Sequence, residues 1–119
     1  MVAQDAIRSL IADLKSGEDD RAEAAVYALA AQGSRAVPAL RELLADQDGK
    51  SAAEVDARWW AVRALAEIPG SETSQALCTA LTDPEASVRQ GAALGLRSQP
   101  DPSCTSVLIA ALDDSDPLT

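Results

Sequence analysis

Histidine and phenylalanine are absent from this 119-residue sequence, which also has a single tyrosine and a single methionine. The absence of histidine removes the side chain that most often serves as a general base and most often binds transition metals. The sequence also contains no HExxH, P-loop, GxGxxG or GxSxG motif. We therefore predict no catalytic residue, no metal ion and no cofactor, and we expect a protein that is not an enzyme.

Positive charge is scarce, since ten Lys and Arg face nineteen Asp and Glu for a net charge of −9. Nucleic acids and anionic lipids both attract cations, so this balance argues against nucleic-acid and membrane partners. Long apolar runs are lacking too, and charged residues at Asp5, Arg8 and Asp13 stand where a signal peptide would be apolar. We expect a cytoplasmic protein.

Cysteine is limited to Cys78 and Cys104, which are 26 residues apart. No CxxC motif and no histidine accompanies them, so they do not form a metal set, and Cys78 has no identifiable base to activate it. Two alternatives stay open: a pair of buried thiols in a reducing cytosol, or one disulfide.

Alanine- and leucine-rich segments make up most of the chain, and three of them, 25–46, 61–83 and 91–114, align as repeats. Each contains a first helix, a short turn with Gly, Pro or Ser, and a second helix that ends at Asp. The first helices align on Leu29, Leu65 and Leu94. The second helices share a leucine stripe, namely Leu40, Leu43 and Leu44, then Leu77 and Leu81, then Leu108 and Leu112.

Helix boundaries are marked by capping residues. Asp83-Pro84 and Asp101-Pro102 place a carboxylate before a proline, Asp20-x-x-Glu23 and Ser51-x-x-Glu54 have the spacing of capping boxes, and Gly33 suits a helix C-terminus. Carboxylate clusters such as 18–20 and 113–116 are interpreted as helix-start residues rather than cation sites. Seven helices are predicted, at about 4–15, 20–32, 35–45, 52–68, 71–82, 84–98 and 102–113.

We predict one domain over residues 1–119. Because Asp116-Pro117 has the form of another helix start, we expect this domain to be a fragment of a longer array. The predicted units are 1–15 as the second helix of a partial repeat, 19–46, 47–83 with an insertion near 47–56, 84–114, and 115–119 as the start of a missing helix.

The segment LTDPEASVRQGAALGL, residues 81–96, resembles a HEAT-like repeat, and its closest type is the short form named after phycobilisome lyases. The resemblance implies an all-α, right-handed solenoid of antiparallel helix pairs, with first helices on the convex side and second helices on the concave side. One related class is excluded, since the deoxyhypusine hydroxylases need paired His-Glu motifs and the sequence has no histidine. A second, the DNA glycosylases, is disfavoured, because they need a cationic concave surface. Our functional interpretation is a non-catalytic protein–protein interaction scaffold. The alternative is phycobilin-lyase-like chromophore attachment or a chaperone role.

The neighbouring tryptophans cannot point the same way on a helix. Aligned on Leu65 and Leu94, Trp59 matches Val88, a core position, and is predicted to be buried. Trp60 matches Arg89 and either packs beneath the insertion or is an exposed aromatic contact for a partner. Family members often pair an arginine at this position with a carboxylate in the adjoining repeat, a role that Arg58 or Arg63 can take instead.

A candidate partner-binding face follows from the second helices. Residues about 200° around the helix from the leucine stripe point away from the core. They are Arg35, Pro38, Glu42, Glu72, Gln75, Thr79, Ser103, Ser106 and Ala110. A solenoid uses such a concave strip to bind a protein or peptide; the sequence leaves the partner's identity and the oligomeric state open.

Overall fold

The computed structural model describes residues 2–45, 51–98 and 104. Within these residues the chain forms no strand. The elements are α1 (Val2–Leu14), α2 (Asp19–Gln32), a 3-10 turn (Gly33–Ala36), α3 (Val37–Ala45), α4 (Ala52–Ala66), α5 (Ser71–Ala80) and α6 (Ala86–Ser98). Six predicted helices are thereby confirmed, and their ends agree within about two residues, which is the usual uncertainty of a helix terminus. The seventh, at 102–113, lies outside the described residues except for Cys104.

Two of the predicted capping residues are confirmed. Ser51 begins α4, because its Oγ accepts a hydrogen bond from the Glu54 backbone N–H at 3.2 Å and donates one to Glu54 Oε1 at 2.7 Å. Gly33 ends α2 with a positive φ of 65°, and its N–H donates to the Ala30 carbonyl.

The predicted capping box at Asp20 and Glu23 is wrong. Helix α2 already begins at Asp19, and the preceding Glu18 makes no side-chain cap hydrogen bond. The turn before the helix explains the earlier start, since Gly17 takes a φ of 81° and the Glu18 N–H donates to Ser16 Oγ at 3.2 Å. Asp19 and Asp20 instead occupy the first turn, where carboxylates favour the positive end of the helix dipole.

The helices form two layers, as expected for an all-α solenoid. Helix α4 packs against α2 and α6 in one layer, and α3 contacts α1 and α5 in the other. Leucines from both layers meet between them and are almost fully buried, namely Leu14, Leu29, Leu40, Leu65, Leu77 and Leu96. Burial of such side chains stabilises the fold by about 1.5–3 kcal/mol each. No helix in the described part of the chain is both long and apolar enough to cross a membrane.

The predicted anchor of α6 is wrong by two residues. Leu94 is 60% exposed, whereas Leu96 is 1% exposed and takes the buried position. The reason lies at Gly95, where an added Cβ would stand 3.1 Å from Leu77 Cδ1 and 3.2 Å from Ala66 Cβ. Glycine permits this close approach of α6 without displacing Leu77 or Ala66, and in this orientation Leu94 points to solvent.

The two cysteines are joined. Cys78 of α5 and Cys104 form a disulfide, with Cα atoms 6.0 Å apart. The disulfide alternative therefore holds, and the bond ties α5 to the chain that follows α6.

Candidate interaction surface

The predicted partner-binding residues in α3, α5 and the 3-10 turn all lie on the surface. Six are described and exposed: Arg35, Pro38, Glu42, Glu72, Gln75 and Thr79. We call these six residues the α3–α5 face. Their exposure follows from the burial of Leu40 and Leu77 on the opposite side of the same helices. Ser103, Ser106 and Ala110 lie outside the described residues.

The α3–α5 face is polar and mixed in charge. It offers one guanidinium from Arg35, two carboxylates from Glu42 and Glu72, and one amide from Gln75. The Thr79 hydroxyl donates to the Gln75 carbonyl at 3.2 Å, so part of its hydrogen-bonding capacity is used within α5. These groups can position the polar edge of a partner.

A groove of about 730 Å³ adjoins this face between α1, α3 and α4. Its apolar wall includes Ile11, Ala39, Leu43 and Ala57, and Glu42 is the one residue that it shares with the α3–α5 face. The other charged and small lining residues are Arg8, Lys15, Ala53, Glu54 and Arg58. An apolar depression bordered by charges can accept a single apolar side chain of a peptide.

Sequence reasoning missed this groove. It placed Leu43 in the core with Leu40 and Leu44, but Leu43 is only partly buried and lines the groove. A helix has room for one buried stripe, and Leu43 lies about 60° from Leu40 at its edge. The signal that could have indicated the groove is this third leucine, together with the apolar stripe of α1.

The arginine–carboxylate pair expected from the resemblance is present, and Arg58 supplies it. Arg58 Nε donates to Asp83 Oδ2 at 2.7 Å and Nη2 donates to Oδ1 at 3.3 Å, with both side chains at most 1% exposed. Asp83 Oδ1 also accepts from the Glu85 N–H at 2.9 Å, and Arg89 Nη1 donates to the Asp83 carbonyl at 2.8 Å. This buried junction holds α4 against the start of α6, so its role is structural.

The assignment of the two tryptophans is corrected. Of the two alternatives for Trp60, the exposed contact is wrong, because Trp60 is 8% exposed and belongs to the core; Trp59, predicted to be buried, is only partly buried. The cause is the same two-residue error in α6: with Leu65 matched to Leu96, Trp60 falls on Gly91 rather than on Arg89.

The tryptophan rings meet edge to face with centroids 4.8 Å apart and planes at 78°. The Arg63 guanidinium lies 5.3 Å from each ring centroid, which is within cation–π range. Arg63 is therefore held by two aromatic rings rather than by a carboxylate.

Among the residues that the structure describes, no three His, Cys, Asp or Glu side chains lie together as a metal-binding group. The predicted acidic cluster at 113–116 lies outside them.

Comparison with known families adds one match. A family model for HEAT repeats matches residues 7–96 and, in a second alignment, residues 49–119. No curated protein and no solved structure matches the sequence.

Proposed function

We propose, on the premise that this chain belongs to the HEAT-repeat family, that it is a non-catalytic scaffold and binds a protein or peptide through the α3–α5 face. HEAT repeats generally mediate protein–protein interaction. Which face of this chain binds the partner has to be argued from the chain's own exposed residues. We also propose the repeat division 19–46, 47–83 and 84–114.

One observation carries the proposal: six side chains selected from helical periodicity are exposed together on helices that contact one another. The groove beside Glu42 supports it, because a partner needs a place to bury an apolar side chain as well as polar groups to orient it. A peptide that lies across α3 and α5 can reach both features.

The partner can be found by photocrosslinking from this face. A photoreactive amino acid placed at exposed Gln75 in the full chain, expressed in its own cells, should crosslink one protein specifically. Mass spectrometry identifies that protein, and calorimetry with the purified partner measures the affinity. The same photoreactive residue at Ser87, which is exposed on α6, is the control and should not capture it.

Charge reversal on the face tests the contact directly. Glu42→Arg and Glu72→Arg should each weaken binding of the identified partner at least tenfold. Each replaces a carboxylate at the proposed interface by a longer side chain of opposite charge, which disrupts the charge complementarity with the partner. Glu18→Arg makes the same charge change at an exposed position outside the α3–α5 face and should leave the affinity unchanged. Equal affinity of all three variants would refute the proposed face.

The phycobilin-lyase-like alternative predicts a different result. A chain of that kind should acquire visible absorbance when it is incubated with a free bilin, and binding of a protein partner at Gln75 does not account for such absorbance. A gain of absorbance would overturn the assignment as a scaffold.

The expected cytoplasmic location is part of the same proposal. The Cys78–Cys104 disulfide weighs against it, because disulfides persist mainly in oxidising compartments. Cell fractionation followed by alkylation of free thiols decides between a cytoplasmic location and an oxidising compartment.

A further inference from the structure

The two large apolar side chains that are most exposed in the described chain are Tyr27 at 58% and Leu94 at 60%. Tyr27 lies on α2 and Leu94 lies on α6, the two helices that flank α4. Single exposed apolar residues are common, so exposure alone decides nothing. What distinguishes these two residues is that they occupy equivalent positions in two repeats.

Tyr27 and Leu94 occupy equivalent positions in the repeats 19–46 and 84–114, whose helices α2 and α6 lie on either side of α4. Each lies two residues before a fully buried leucine, Leu29 in α2 and Leu96 in α6. Two residues turn a helix by about 200°, so both side chains are directed away from the core. The equivalent residue of α4, two before buried Leu65, is Arg63. We call Tyr27, Arg63 and Leu94 the outer row.

The middle residue of the outer row is already positioned. Arg63 packs over the Trp59 and Trp60 rings at 5.3 Å, and Trp59 is itself only partly buried. An ordered guanidinium loses less side-chain entropy on binding than a free one. Tyr, Trp and Arg are also the residues most enriched among those that dominate binding energy at interfaces.

The charge around the outer row selects the partner. Exposed carboxylates flank it on α2, on α4 and at the C-cap of α4, namely Asp20, Glu23, Asp56 and Glu67. On α6 the exposed charge near Leu94 is Arg97, and the whole chain carries −9. A second copy would bring the same negative charge to this surface, so self-association is disfavoured. A partner with apolar residues surrounded by Lys and Arg is complementary.

The spacing of the outer row favours a helix. Neighbouring helix axes lie about 8–10 Å apart, so Tyr27 and Leu94 stand roughly 16–20 Å apart across α4. A helix rises 1.5 Å per residue, so this span corresponds to about 11–13 residues, and eleven residues are close to three full turns. Two apolar residues eleven positions apart therefore lie on one face of a single helix.

We propose that the outer row is a second docking surface, separate from the α3–α5 face, and that it binds a basic amphipathic helix of another protein. Apolar residues of that helix pack on Tyr27 and Leu94, its Lys and Arg side chains face the flanking carboxylates, and an acceptor between them meets Arg63.

A designed peptide tests this with the full chain. The probe is an 18-residue helix of Leu and Lys, with leucines on one face eleven residues apart and one Gln between them. The control is the same composition scrambled so that no apolar face forms. Both tryptophans of the chain adjoin Arg63, so their emission reports on binding directly. The designed peptide should shift this emission saturably and bind at least tenfold more tightly than the scrambled one.

Surface variants distinguish peptide binding through the outer row from nonspecific attraction between a cationic peptide and an acidic chain. Tyr27→Ser and Leu94→Ser should each reduce peptide affinity at least tenfold, while circular dichroism shows an unchanged fold because both side chains are exposed. Glu42→Arg, on the α3–α5 face, should bind the peptide as the unmodified chain does. Failure of the α3–α5 proposal would not alter these results, because the two surfaces belong to different layers.

Four outcomes would overturn the proposal. They are equal binding of both peptides, unchanged binding by the two serine variants, self-association in sedimentation that Leu94→Ser abolishes, and binding to anionic phosphatidylserine vesicles that Tyr27→Ser abolishes. The third would assign the outer row to a second copy, and the fourth would assign it to a lipid surface.

Discussion

At the scale of single residues, Asp83 is a buried polar group that is held from several sides. Its carboxylate binds the Arg58 guanidinium and the Glu85 N–H, and its carbonyl binds Arg89. A buried ion pair of this kind contributes little relative to apolar residues, but removing one member leaves the other charge buried without compensation. Its main effect is therefore to fix how α4 meets the start of α6.

We expect Arg58→Met to lower the free energy of unfolding by about 3–5 kcal/mol, because the Asp83 carboxylate loses its partner while it stays buried. The double variant Arg58→Met with Asp83→Asn should lose less, since the amide side chain carries no charge and its oxygen can still accept from the Glu85 N–H. Urea denaturation of both variants measures the difference. A double variant less stable than the single one would contradict this account.

At the scale of secondary-structure elements, the sequence alignment and the structure differ in the orientation of α6: the alignment buries Leu94, and the structure buries Leu96. Leu96→Ala should lower the free energy of unfolding by about 2–5 kcal/mol, since it opens a cavity beside α4. Leu94→Ala, the same substitution two residues away, should change it by about 0.5 kcal/mol or less, because that side chain is already in water. Thermal and urea unfolding of the pair provide the comparison, and equal losses would mean that the orientation of α6 is wrong.

The helices themselves were predictable because their signals are local. Leucine periodicity, Ser51 and Gly33 each act within a few residues of the helix end or face that they define. The order of repeats then followed from matching these local signals along the chain.

The orientation of α6 and the roles of the tryptophans were not predictable in the same way. Leu94 and Leu96 are equally apolar, and the choice between them depends on how closely Gly95 lets α6 approach Leu77 and Ala66. Contacts of this kind join residues far apart in the sequence. The error passed to Trp59, whose predicted burial depended on the same alignment, and to the exposed alternative for Trp60, which depended on matching Trp60 to Arg89.

The buried ion pair was predictable in part. The resemblance indicated that an arginine of α4 would pair with a carboxylate, and it left Arg58 and Arg63 as alternatives. Arg58 pairs with Asp83 because the helix turns its side chain inward, while Arg63 lies over the tryptophan rings. The two arginines are five residues apart, so their side chains leave α4 about 140° from each other around the helix.

At the scale of the whole molecule, the two proposed surfaces lie on different layers, and the core between them is continuous. The disulfide connects distant parts of the molecule, because it joins α5 to a residue beyond α6. Helix α5 carries part of the α3–α5 face. Cys78 directly precedes Thr79 of that face. Closing a loop of this length restricts the unfolded chain and should stabilise the folded one by about 3–4 kcal/mol in the chain-entropy account.

We therefore expect dithiothreitol to lower the free energy of unfolding of the unmodified chain by about 3–4 kcal/mol, as measured by urea denaturation. The variant Cys78→Ser with Cys104→Ser has no bond to reduce, so it should match the reduced chain and give one curve with or without the reagent. Alkylation followed by mass spectrometry should find no free thiol in the unreduced chain. If the reagent left unfolding unchanged, either the cysteines would be unpaired in solution or the link would not restrain the unfolded chain, and the alkylation result separates these two causes.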